Sequence, residues 1–383
     1  MKSILGGLAP AAFLRDYWQK RPLLVRQAFP RFTGIIGRDP FLRLATRDDA
    51  RSRLIIHHPR RRRTRWERHD GPFGGLEIGM LPSSHWTLLV NGVESLVPGG
   101  WEILGAFSAI PTARVDDLMV SYAADGGTVG PHDDLYDVFL LQGAGRRRWR
   151  TSTQRDRSLD PGAAIKVLRA FVPEEEWLLE PGDMLYLPPG VAHWGVAEGP
   201  CFTYSIGFRA PTHGELLQSF LEYLGATLGA RADPDARYED PDLRPQREPL
   251  EVSVAMVDKV EEVLGGVCWD RPAIADFLGR YLTRPKPRQR FVPPERPMAL
   301  DVFARRLCAR SGRLALALPT RGLVHRGRIF LNGDAFSPRR PTSHLFKQLV
   351  GSRSLPLPLP RLNDETLALL HRWYAAGYLR LSV

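Results

Sequence analysis

Between about residue 115 and residue 210 the chain is a succession of short apolar or alternating runs: DDLMVSYAA, YDVFLLQ, RRRWR, DMLYLPP and CFTYSIGF. Each is cut off by a breaker such as DGG, QGAG, EPGD or PPG. Strands spaced this closely imply a sandwich or a barrel. The character changes after Pro211. Thr212 and Glu215 form a capping box, and Leu216, Leu217, Phe220, Leu221 and Leu224 follow at helical spacing. Two more helical stretches are predicted, around Val252 to Leu264 and Pro272 to Leu282. The segment TRPKPRQRFVPPERP (283–297) then reads as a linker. Beyond it the pattern predicts a helix near Leu300 to Arg310, a hairpin at Asn332 and Gly333, a helix after Asn363 and a closing strand YLRLSV. Helices followed by a hairpin, with strong positive charge, fit a winged-helix module. No internal repeat is visible.

A length of 383 residues accommodates two or three domains. With 43% hydrophobic and 25% charged residues the chain is neither disordered nor collagen-like. No run of eighteen apolar residues occurs, so no membrane span is expected. The opening MKSILGGLAPAAFLRDYW is broken by glycine and proline and runs into Arg15, Asp16 and Trp18 without a cleavage site, so it reads as a first helix. Cys201, Cys268 and Cys308 are odd in number and far apart, which argues for a reducing, cytoplasmic compartment. Cys201 reads as a small buried apolar residue. The charge of +11 is unevenly placed: residues 284–383 hold 19 basic and 5 acidic side chains, net +14, against 34 and 37, net −3, for the rest. That asymmetry points to a separate module meeting an acidic partner. The run Arg60 to Arg63 reads as a solvated loop.

The chemistry is concentrated in GPHDDLYDVFLLQGAGRRRWR (130–150) and EPGDMLYLPPGVAHWGV (180–196). On a strand, residues two apart share a face, so His132, Asp134 and Tyr136 are expected to project together. His193 follows 61 residues later, after a strand and a PPG turn. In a rolled-up sheet the two segments become neighbours, giving two imidazoles and one carboxylate. That set is the facial triad of non-haem iron(II) oxygenases. In the strand RRRWR, Arg147 shares a face with Trp149, so if the indole packs inward the guanidinium does too. A buried guanidinium needs an anion. Either the distal carboxylate of 2-oxoglutarate or a protein carboxylate would serve. In DDLMVSY, Asp117, Met119 and Ser121 alternate on one face. Ser121 is able to donate to the same distal carboxylate and Asp117 to hold a cationic substrate at the rim, though each residue in such a place is more often a plain strand residue.

These residues resemble a known family, the bacterial JmjC ribosomal oxygenases, which hydroxylate an arginine of a large-subunit ribosomal protein. The likeness is carried by FLRDYWQKRPLLVR (13–26), HDGPF (69–73), WTLLV (86–90), RVDDLMVSY, GPHDDLYDVFLLQGAGRRRWR, EPGDMLYLPPGVAH and YSIGFRAP. After about residue 225 only the layout persists. The resemblance implies a mainly β, double-stranded β-helix core of the JmjC (cupin) jelly-roll type over 1–211. A helical dimerisation region over 212–283 and a basic linker with a winged-helix-like domain over 284–383 would follow. It also implies Fe(II) on His132, Asp134 and His193, and 2-oxoglutarate on Arg147 and Ser121. A substrate arginine would lie among Asp117, Tyr136 and Ser205. A ribosomal protein substrate and a homodimer are expected, contact with ribosomal RNA is left open, and no membrane is involved. Two positions depart from the family: Thr203 stands in place of asparagine and Leu135 in place of glutamine. Two other readings compete with arginine hydroxylation. One keeps the chemistry but acts on a histidine or asparagine, and the acidic Asp117 favours a guanidinium over these. The other is a catalytically silent metal-binding cupin that associates with RNA, against which the anion site beside the triad counts.

Overall fold

The computed structural model describes residues 4–59, 64–229, 235–338 and 342–382. The basic run 60–63 lies outside them. Among the described residues, eleven strands precede the helical region: β1 (Leu23–Val25), β2 (Arg51–His58), β3 (Arg65–Asp70), β4 (Trp86–Asn91), β5 (Val115–Ala123), β6 (Val138–Gln142), β7 (Arg146–Ser152), β8 (Glu175–Leu179), β9 (Met184–Leu187), β10 (Ala192–Glu198) and β11 (Cys201–Phe208). They form an antiparallel sheet of eight, ordered β1-β9-β6-β11-β5-β4-β2-β3, and one of three, ordered β10-β7-β8. From β6 onward the chain passes back and forth between the two sheets, which is the double-stranded β-helix that the resemblance implied.

Alternation along each strand gives the large sheet two buried faces. Leu118, Val120 and Tyr122 of β5, Phe139 and Leu141 of β6, and Phe202, Tyr204 and Ile206 of β11 point to an outer core. That core is closed by α1 (Pro10–Asp16), α2 (Arg38–Leu44) and α4 (Gly100–Gly105), with α3 (Gly75–Gly79) between the last two in the chain. Burying each such side chain contributes about 1.5–3 kcal/mol. On the opposite face, Val138, Leu140, Leu185 and Leu187 pack against Trp149 and Leu179 of the small sheet. Ala123, Ala197 and Cys201 form a second small cluster between the sheets. The interior of the β-helix is therefore lined by the odd-numbered residues of β5 and β11, including Asp117, Ser121, Thr203 and Ser205.

The chain divides into two compact units, Met1–Ala210 with Pro285–Thr320 and Gln348–Val383, and Pro211–Arg284 with Arg321–Lys347. The second contains α5 (His213–Gly229), α6 (Val254–Gly265) and α7 (Arg271–Thr283). The capping box forms as read: Thr212 N–H donates to Glu215 Oε2 at 2.7 Å, and Glu215 N–H to Thr212 Oγ1 at 3.1 Å. The remaining elements are α8 (Leu300–Leu307), β12 (Arg313–Leu316), β13 (Gly322–His325), β14 (Arg328–Leu331), β15 (Asp334–Phe336), α9 (Ser343–Ser352), β16 (Ser354–Pro356), α10 (Asp364–Ala375) and β17 (Leu379–Ser382). The predicted hairpin turn joins β14 to β15, with Asn332 and Gly333 both at positive φ as a tight turn requires. Strands β16-β12-β17 and β13-β14-β15 form two separate three-stranded sheets. Within the second unit α7 lies so close to β14 that a Cβ on Gly279 would meet the Phe330 ring at 2.4 Å.

Candidate metal centre and co-substrate pocket

His132, Asp134 and His193 come together, but by a different local geometry from the one predicted. Residues 133–137 are not a strand; only His132 pairs, in a single antiparallel bridge with His193. The backbone bonds of that bridge are 3.0 Å and 2.7 Å, and residues paired this way carry their side chains on one side. The ring centroids are accordingly 4.3 Å apart. His193 follows β9 and the Pro188–Gly190 turn, as read, and lies inside β10. Gly190, at φ +76°, completes that turn and donates its N–H to the Asp134 carbonyl at 2.7 Å, which fixes the third residue.

One ligand atom from each residue falls within 4.8 Å of the other two, and Asp134 Oδ2 is 3.7 Å from His193 Nε2. His132 Nδ1 lies 3.0 Å from the Gly130 carbonyl and His193 Nδ1 3.0 Å from the Val191 carbonyl. A carbonyl only accepts, so each Nδ1 carries the proton and each Nε2 offers its lone pair. Burial, then the neighbouring His132, pushes the His193 pKa down to about 4, which keeps the imidazole neutral as a ligand must be. Two imidazoles and a carboxylate brought together in this way suit Fe(II) with open positions.

Arg147 faces the interior beside Trp149, as the alternation in RRRWR requires, and is 4% exposed. Its Nε and Nη2 have no hydrogen-bond partner, and no carboxylate of the described residues pairs with it. Of the two partners left open by the sequence, a protein carboxylate is not found among the described residues. Arg147 lies 5.6 Å from the Trp149 ring, which is in turn 5.8 Å from the His193 ring, so the guanidinium and the triad flank one indole. Gly195 on β10 permits this, because a Cβ there would meet the indole at 2.7 Å. Two of the outward arginines of β7 are paired: Arg148 with Glu176 and Glu198, and Arg150 with Glu176.

Ser121 is buried on the interior face, directly opposite Thr203 of β11. The Thr203 hydroxyl donates to Gln142 Oε1 at 3.4 Å, so the residue that departs from the family is engaged with its own sheet. Leu135 is exposed. Asp117 is buried and half-satisfied: its Oδ2 accepts from Asn91 Nδ2 at 3.2 Å and from Gly92 N–H at 3.1 Å. Its Oδ1 faces Gly207, whose missing Cβ would lie 3.6 Å from Oδ1 and 3.9 Å from Tyr136 Cε2. The bare backbone of Gly207 thus leaves room between a carboxylate and an aromatic ring. Tyr136 is 41% exposed, but burial of its hydroxyl, with Asp134 and Asp117 nearby, raises its pKa well above the usual phenol value. Ser205 is buried one strand position away, between Met119 and Leu140. Sequence reasoning missed Asn91, Gly92 and Gly195. The dipeptide after WTLLV was the available signal for the first two.

A family model for the JmjC domain matches residues 102–216, and one for a ROXA-like winged helix matches 266–380. Ribosomal protein uL16 3-hydroxylase of Escherichia coli is 33% identical over 336 residues, covering 86% of each chain. The chain belongs to the JmjC-domain ribosomal oxygenases. A probable ribosomal oxygenase of Haemophilus influenzae is 36% identical over 62% of this chain and 57% of its own length. The solved structure of E. coli ycfD matches with a TM-score of 0.82 at 30% identity, over 98% of both chains. The same E. coli protein in complex with cobalt and 2-oxoglutarate matches with a TM-score of 0.79 at 30% identity, over 98% of this chain and 99% of that one. The oxygenase therefore has a JmjC core and a winged-helix domain, as the resemblance implied.

Proposed function

We propose that this oxygenase hydroxylates an arginine side chain of a large-subunit ribosomal protein, with uL16 the first candidate. His132, Asp134 and His193 hold Fe(II), and Arg147 with Ser121 anchors 2-oxoglutarate. When bound, the metal and co-substrate supply the oxidising chemistry: dioxygen is consumed, 2-oxoglutarate leaves as succinate and carbon dioxide, and one oxygen atom enters an unactivated C–H bond. The chain's own residues bind and orient. Arg147 fixes the co-substrate by a charge-assisted pair in an apolar wall, where such a bond is strong. Val138, Leu140 and Trp149 keep that wall dry. Asp117 Oδ1 receives the guanidinium while Tyr136 stacks on it, with Ser205 beside them. The observation that carries the reading is the buried, unpaired guanidinium of Arg147 one indole away from the triad.

The division into a catalytic domain (1–211), a helical dimerisation region (212–283) and a basic linker with winged-helix-like domain (284–383) is part of the proposal. Leu217 and Leu221 of α5 and Val257, Val260, Val263 and Leu264 of α6 are exposed, which supports a two-fold homodimer. A monomeric mass in sedimentation at micromolar concentration would refute that assembly. No helix among the described residues is long and apolar enough to cross a membrane. We place the enzyme in the cytoplasm, where its net +14 C-terminal region steers it to the acidic ribosome. The decisive test is mass spectrometry of ribosomal proteins from cells with and without this protein. One added oxygen on an arginine of uL16 is expected; the oxygen on a histidine or asparagine would favour the competing substrate.

A further inference from the structure

The linker that joins the helical region to the winged-helix elements carries a cation into the acidic end of the pocket. Lys286 Nζ is 2.8 Å from Asp116 Oδ1 and 3.8 Å from Asp117 Oδ2. Successive residues of a strand point to opposite faces, so Asp116 looks outward and Asp117 inward. One ammonium reaches both. Lys286 is not a stray surface lysine, because the segment around it is fastened to the core. Its N–H donates to Gln289 Oε1 at 2.9 Å, Arg288 Nη1 donates to the Gly71 carbonyl at 3.2 Å, and Arg290 pairs with Asp48 at 2.8 Å. The carbonyl that Arg288 uses belongs to the HDGPF segment, to which the chemistry assigned no role.

We propose that Lys286 is a specificity-determining residue, a resident cation at the substrate mouth that sets how tightly an arginine side chain is held. The inference rests on the reading of Asp117 as the guanidinium receptor. Asp117 Oδ2 is occupied by Asn91, Gly92 and the Lys286 charge, which leaves Oδ1 as the oxygen that meets the substrate. A guanidinium on Oδ1 sits roughly 6 Å from that ammonium, where like charges at a protein's edge alter affinity about 5- to 10-fold. Hydroxylation leaves the guanidinium intact, so the product binds the same carboxylate as the substrate. A cation behind the carboxylate weakens both and favours release. It also opposes a substrate lysine, which brings a like charge without the planar fork that compensates an arginine.

The test uses the full-length enzyme with a uL16 peptide centred on an arginine. Lys286→Met is expected to lower KM for the peptide about 5- to 10-fold without raising kcat, and to leave KM for 2-oxoglutarate unchanged. Lys286→Arg, which keeps the charge, is expected to stay near wild type. Should the methionine variant not fold, Lys286→Gln carries the same expectation. A peptide KM within twofold of wild type, or higher, for the neutral variant overturns the inference, as does Lys286→Arg behaving like Lys286→Met. Asp117→Asn separates this from the parent reading. If it raises the peptide KM while Lys286→Met does not move it, only the role of Lys286 fails. If Asp117→Asn has no effect, the substrate reading fails as well.

Discussion

Replacing Arg147 by methionine should have opposite effects on the free protein and on its co-substrate. In the free protein the guanidinium is buried among apolar side chains with Nε and Nη2 unpaired. Unsatisfied buried donors cost about 1–3 kcal/mol, and methionine fills similar space without that cost. The variant should therefore unfold at the same temperature as wild type or a few degrees higher. On the proposed reading the arginine supplies the counter-charge to the distal carboxylate of 2-oxoglutarate. Removing one partner of a buried pair costs about 3–5 kcal/mol, or roughly a hundred- to several-thousand-fold in 2-oxoglutarate affinity. Thermal unfolding without co-substrate and calorimetric titration of 2-oxoglutarate onto the Co(II)-loaded protein measure the two effects separately. A variant that melts well below wild type yet binds 2-oxoglutarate normally would refute the reasoning, because Arg147 would then be a structural residue.

His132→Ala, Asp134→Ala and His193→Ala should each abolish 2-oxoglutarate turnover and Co(II) binding while the far-ultraviolet spectrum stays native; substantial turnover in any one would remove it from the ligand set. Gly195→Ala drives a methyl to 2.7 Å from Trp149, so the indole between Arg147 and His193 must shift. A stability loss of about 1–3 kcal/mol and a reduced 2-oxoglutarate affinity are expected by denaturation and titration, and an unchanged protein would show that the wall is soft. His57 is buried with Nδ1 unpaired, and burial, reinforced by His85, lowers its pKa to about 4. A histidine depressed in the folded state contributes stability that is present above about pH 6.5 and is lost as the pH falls towards 4. His57→Phe should remove about 2–3 kcal/mol of that acid-side slope; urea melts at pH 7 and pH 4.5 that differ as much in the variant as in wild type would contradict it.

Much of the site was legible before any fold was known, because period-2 alternation fixes faces without tertiary information. That rule alone put Arg147 on the same face as Trp149 and set Asp117 and Ser121 on one side of β5. Spacing and residue type named the triad, and the Thr212–Glu215 capping box and the Asn332–Gly333 turn are local signals that the backbone obeys. Where alternation was extended to residues 132–136 it failed. Backbone bonds to His193 and Gly190, both about 60 residues away, hold that segment as a bridge and turn, and no local pattern announces partners so distant.

What the sequence determined by itself is the inventory: a strand-rich core, three candidate ligands, an arginine sharing a face with Trp149 and a basic C-terminal region. What only the tertiary structure decided is pairing. It left Arg147 without a carboxylate partner among the described residues, turned Thr203 towards Gln142, held one oxygen of Asp117 with Asn91 and Gly92, and brought Lys286 from beyond the helical region to the same carboxylate. Each of those outcomes depends on contacts between residues far apart in the chain. Their geometry is set by sheet register and by the close approach that glycines such as Gly195 and Gly207 allow, and neither is encoded in any short stretch of residues.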